Sequence, residues 1–235
     1  MKKPIGVRFR IGYLKNYKGT AMLEGPSHLP LSGKKAKKLV VFCHGYGSNG
    51  QDLLSLAPYW SHILPEVEFL SPNAPEIGEA FPAGYQWFSL KEFTPQAIRI
   101  GLNKAIPVLQ EYIIQALEAR NLTPADLAIV GFSQGGMMAL EMMFALPNLK
   151  GVICYSGGFY PSPLLPPMTG ERPKLLLVHG DEDTVVPYEF LSESQNHLRK
   201  LGFDPQTLTC SGLGHSIDEE GLKTGGKFLA DVLSH

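Results

Sequence analysis

Cysteine is scarce in this 235-residue chain, and its three copies exclude more than they suggest. Cys43, Cys154 and Cys210 are too few and too widely spaced for a disulfide framework or a metal-ligand pattern. An excess of charge of either sign is missing as well: the net charge is −1, which argues against nucleic acid or an acidic membrane surface as a partner. No stretch approaches the ~20 apolar residues of a spanning helix, so stable membrane insertion is not expected. Met1-Lys2-Lys3 opens like a signal peptide, but residues 4–10 carry no apolar core to follow it. These absences predict a soluble protein of a reducing compartment, the cytoplasm. The one basic run, Lys34-Lys35-Ala36-Lys37-Lys38, precedes an apolar segment and reads as a solvated loop. Internal repeats and linkers are also lacking, so one domain over residues 1–235 is expected.

What is present is apolar and periodic. Hydrophobic residues make up 44% and charged residues 18%, enough to bury a large core. A continuous apolar run at 39–43 has the length and content of a strand buried on both faces, and 67–70, 128–130, 151–155, 174–178 and 206–210 read as further strands. Between them lie helical patterns at 51–60, 94–120, 134–145 and 188–201, and one closes the chain at 221–233. Pro107 interrupts the longest and predicts a kink. Residues 7–24 read as two short strands around Asn16-Tyr17-Lys18-Gly19. Strands alternating with helices imply right-handed crossovers and a mostly parallel sheet with helices on both faces. The segment 72–90 is rich in Gly, Pro and aromatics, and is expected to pack over the mouth of a site as a minimal lid.

One motif organises the rest. An apolar run enters Gly131-Phe132-Ser133-Gln134-Gly135 and a helix-forming run leaves it, which is the strand–turn–helix setting of a nucleophile elbow. A serine hydroxyl needs a base, and the base needs an orienting acid, found in this fold in the chain order Ser, acid, His. The acid belongs after a later strand, at the carboxyl edge of the sheet. His179-Gly180-Asp181-Glu182-Asp183 stands there. Asp183 is favoured, with Asp181 bracing the turn and Glu182 facing solvent. Of the histidines that follow, His197 lies in a helix and His235 at the terminus. His215, in Gly214-His215-Ser216 between the last strand and the last helix, is the expected base. Two backbone amides are expected to form an oxyanion hole: Gln134, at the start of the elbow helix, and Tyr46, in His44-Gly45-Tyr46-Gly47 after the first central strand. His44 itself reads as a structural histidine.

These segments, with Gln86-Trp87-Phe88 and Thr184-Val185-Val186-Pro187, resemble the phospholipase/carboxylesterase family of small α/β-hydrolases, which includes acyl-protein thioesterases. The likeness spans about residues 37–233. It implies an α/β-hydrolase fold, the Ser133–His215–Asp183 triad and the Tyr46 and Gln134 amides, with an acyl groove near Trp87 and Val185. It implies no metal and no cofactor, a small-molecule ester as substrate and, since several members are dimers, a homodimer. Acyl-protein thioesterases usually carry Asp where this chain has Ser48, which together with Tyr85-Gln86-Trp87-Phe88 favours a bacterial type of carboxylesterase acting on short to medium acyl chains. The alternatives are a thioesterase or lysophospholipase for long acyl chains and a non-catalytic binding protein of the same fold. A peptidase usually brings an extra domain and a dienelactone hydrolase a Cys nucleophile, so both rank lower.

Overall fold

The computed structural model describes residues 23–234 except 164, 166 and 169. In chain order its elements are β1 (Ser27–His28), β2 (Lys38–Cys43), α1 (Gly50–Leu54), α2 (Ala57–Ser61), β3 (Val67–Leu70), β4 (Glu76–Ile77), β5 (Tyr85–Gln86) and α3 (Pro95–Glu118). There follow β6 (Leu127–Phe132), α4 (Gln134–Ala145), β7 (Gly151–Tyr155), β8 (Lys174–Gly180), α5 (Glu189–Lys200), β9 (Gln206–Cys210) and α6 (Glu219–Leu233). The main sheet runs β1-β3-β2-β6-β7-β8-β9, with β1 antiparallel to β3 and the other pairings parallel.

The central strands β2 (after Lys38) and β6 are apolar because both of their faces are covered. In β2, Leu39, Val41 and Cys43 enter one core while Val40 and Phe42 enter the other. In β6, Leu127 and Ile129 oppose Ala128 and Val130 in the same way. The first core is closed by α3, α4 and α5 through residues such as Leu109, Met138 and Leu198, the second by α1, α2 and α6 through Leu53, Trp60 and Leu229. Each such side chain contributes about 1.5–3 kcal/mol through removal from water. The helix α4 is buried on nearly every side, which accounts for its apolar composition.

Several local expectations are refined. The helix expected at 51–60 is two short helices, since Pro58 restarts the turn at the head of α2. The helix α3 continues through Pro107, which is exposed, so the rung it removes faces water. The 72–90 segment folds its own small ribbon, β4 against β5. The hairpin expected at 7–24 lies outside the described residues apart from 23 and 24.

One buried charge is built into the sheet. Glu68 of β3 receives Arg120 Nη2 at 2.7 Å and Nε at 2.9 Å, and Arg120 Nη1 also donates to the Ala116 carbonyl at 2.8 Å. Arg120→Ala strands the Glu68 carboxylate and is expected to cost about 3 kcal/mol, read from the urea midpoint. A loss below about 1 kcal/mol, the range of exposed ion pairs, would show that water reaches the carboxylate.

Candidate active site

At the carboxyl edge of β6 the chain turns sharply into α4. Ser133 sits in that turn with φ 55° and ψ −118°, a conformation that costs a side-chain-bearing residue of order 1–3 kcal/mol. The turn is held by the Ser133 N–H, which donates to the Tyr155 carbonyl at 2.8 Å, and by the Gly136 N–H on the Ser133 carbonyl at 2.9 Å. It needs its glycines for close approach rather than flexibility. A Cβ on Gly131 would lie 2.0 Å from the Gly135 carbonyl oxygen, and one on Gly135 would lie 1.8 Å from that of Cys43.

The His215 ring packs on Phe132, the neighbour of Ser133, with centroids 4.8 Å apart. Its Nδ1 donates to Asp183 Oδ2 at 2.7 Å. Asp183 Oδ1 accepts the amides of Val185 and Val186, each at 2.9 Å, and its carboxylate is fully buried. Burial pushes the carboxyl up, but the bond from His215 and the amides of Val186 and Val185 outweigh it and hold the group below the ordinary carboxylate range. Asp181 takes the other role expected of it: its carboxylate accepts the Gly212 amide at 2.6 Å and the Ser211 hydroxyl at 3.1 Å, bracing the turn after β9. Glu182 is exposed, and His197 is occupied along its own helix with the Glu193 carbonyl.

The loop after β2 lies against the elbow: a Cβ on Gly45 would stand 3.5 Å from Ser133 Cβ. Among the described residues the amides of Tyr46 and Gln134 take no partner, while that of Gly47, next to Tyr46, is bound elsewhere, and the His44 ring is held from the other side. Gly47 N–H donates to Tyr85 O at 2.8 Å and Ala74 N–H to His44 Nε2 at 3.0 Å. His44 Nδ1 faces the Gly45 carbonyl at 2.8 Å, so the ring carries its proton there and is neutral. Burial pushes its pKa down, partly opposed by that bond and by Asp52. Ser48 pairs with Tyr85 and donates to Asp52 at 2.6 Å, tying the loop to the β4–β5 ribbon and to α1.

Trp87 corrects an expectation. Its indole is 1% exposed and donates to the His44 carbonyl at 2.9 Å, so it supports the loop from beneath and offers no open face to a groove. Val185, by contrast, is 61% exposed two residues from Asp183. Sequence reasoning missed the side chain of Gln134, which accepts the Trp87 amide at 2.9 Å and donates to the Phe88 carbonyl at 2.7 Å. A buried amide beside the elbow serine was the available signal. Gln134→Leu leaves both backbone groups unpaired and is expected to cost at least about 2 kcal/mol in a chemical unfolding experiment. An unchanged midpoint would mean that the 87–88 segment holds to the head of α4 without this clamp.

A mostly parallel sheet flanked by helices, with a strained serine in its strand–helix turn, defines an α/β-hydrolase. Residues 29–233 match the phospholipase/carboxylesterase family. The chain belongs to that family, and so to the carboxylic ester hydrolases. It is 27% identical to esterase YpfH of Escherichia coli over 190 residues, 81% of each chain. It is 31% identical to acyl-protein thioesterase 1 of Neurospora crassa over 212 residues, 83% of this chain and 86% of that one. The crystal structure of esterase PE8 superposes with a TM-score of 0.85 at 39% identity, covering 91% of this chain and all of the other.

Proposed function

We propose that this protein is a serine carboxylesterase for esters of short to medium acyl chain, acting through Ser133, His215 and Asp183. The observation that carries the reading is the His215–Asp183 hydrogen bond with the His215 ring packed against the strained elbow that presents Ser133. In this scheme Ser133 Oγ attacks the acyl carbonyl carbon as His215 Nε2 takes its proton. His215 then returns the proton to the leaving alcohol, and the acyl group remains on Ser133. Water, deprotonated by His215, attacks the acyl-enzyme, and the carboxylic acid departs as Ser133 regains its proton. The amides of Tyr46 and Gln134 receive the oxyanion in both tetrahedral intermediates, each donor contributing about 3–4 kcal/mol.

Among the described residues, Val185 beside Asp183 and Phe81 against Tyr46 are apolar side chains left open, Phe81 being 57% exposed. Their small open surface supports a short or medium acyl chain. The likeness to acyl-protein thioesterase 1 favours a second reading, a long-chain thioester or lysophospholipid substrate. A p-nitrophenyl ester series from acetate to palmitate, run on wild type and Ser133→Ala, separates them. A short-chain optimum lost in the variant is expected; a palmitate optimum would favour the second reading.

A further inference from the structure

Asp183 meets a second imidazole. His179, buried near the end of β8, places Nε2 2.9 Å from the Val186 carbonyl oxygen and 3.3 Å from Asp183 Oδ2. A carbonyl only accepts, so Nε2 carries the proton and His179 addresses this loop as a donor. Val186 closes the circuit, because its own amide donates to Asp183 Oδ1 at 2.9 Å. The carboxylate is fully buried and depends on protein donors for its orientation. Oδ1 is held by two amides, and Oδ2 stands between the two imidazoles.

We propose that His179 is a positioning residue for hydrolysis: by holding the Val186 carbonyl and lying against Asp183 Oδ2, it aims the carboxylate at His215. This rests on the triad reading above. The titratable groups that face the pair are His215 from the segment after β9, Tyr188 at the head of α5, its ring 6.2 Å from that of His179, and Cys154 of β7 across a small cavity also lined by Ser194. Asp181 is turned away onto Gly212, and Glu182 faces solvent. Among these groups only His215 hydrogen-bonds to the Asp183 carboxylate, and His179 lies 3.3 Å from it.

The test compares wild type, His179→Leu, His179→Gln and Asp183→Asn, with kcat expressed per active serine titrated by a fluorophosphonate probe. His179→Leu is expected to lower kcat by up to about a hundredfold with KM unchanged, the usual scale for a displaced catalytic group. The acid limb of its kcat/KM profile should move to lower pH, because the His215 imidazolium loses part of its carboxylate partner. His179→Gln places an N–H where Nε2 stood and should recover most of both effects. A wild-type kcat per titrated site in His179→Leu, an acid limb that stays or rises, or a Gln variant no better than Leu would overturn the proposal. Should His179→Leu not fold, His179→Asn replaces it. Its shorter amide cannot reach the Val186 carbonyl, so Asn is expected to be impaired and Gln not; equal activity would overturn the proposal. Wild-type activity in Asp183→Asn would instead overturn the triad reading itself, whereas impaired Asp183→Asn beside unimpaired His179→Leu would overturn only the role of His179.

Discussion

Ser133→Ala is expected to lower kcat by about six orders of magnitude while the protein stays folded, since under the proposed mechanism loss of the nucleophile removes the covalent route altogether. The measurement is single-site turnover of a p-nitrophenyl ester, with circular dichroism and thermal unfolding as the check on structure. The fold should persist because the elbow is held by backbone bonds, from Ser133 N–H to Tyr155 O and from Gly136 N–H to Ser133 O, and not by the hydroxyl. Residual activity within tenfold of wild type would remove Ser133 from the mechanism. A companion variant separates chemistry from strain. Ser133→Gly relieves the φ of 55° and should be more stable than Ser133→Ala by about 1 kcal/mol. Equal stabilities would show that the neighbouring strands absorb the strain.

Asp183→Asn is expected to lower kcat by about four orders of magnitude, because the amide presents the wrong hydrogen-bonding partner to His215 Nδ1 and the imidazolium loses its counter-charge. The same substitution should show a pH-dependent stability difference. The Asp183 carboxyl is held below the ordinary range: burial alone would raise it, and the His215 bond with the Val186 and Val185 amides more than offsets that. An unfolded aspartate titrates near about pH 4, so this contribution stands in full above that value and is lost as pH falls through the lower folded value. The difference in urea midpoint between wild type and Asp183→Asn should therefore narrow from pH 5 to pH 3. A constant difference over that interval would show that the carboxylate is not held by these donors.

Much of the chain was legible before any coordinates because the information was local. Strands buried on both faces announce themselves as unbroken apolar runs, as in Leu175-Leu176-Leu177-Val178, and α4 begins directly after Ser133 of the elbow. Elements stabilised by distant partners were not legible in this way. The two-residue strand β1 exists because β3 offers it a ladder, and the β4–β5 ribbon is tied down by the loop after β2. Pro107 was readable as an interruption, but whether it ended α3 depended on which side of the helix met solvent.

The sequence by itself determined the strand–turn–helix at Ser133, the chain order of serine, acid and histidine, and the layered α/β class, since each depends on residue type and spacing along a few neighbouring positions. Only the tertiary structure decided how Asp181 and Asp183 divide their roles. Both leave β8 within three residues, yet one carboxylate braces Gly212 and the other meets His215, 32 residues away. It also decided that Trp87 is sealed beneath the His44 loop and that His179 lies against Asp183. The physical reason is the same in each case. A side chain's direction and partners at a loop are set by which buried donors and acceptors must pair when distant segments close on one another, and that requirement appears only once the chain is packed.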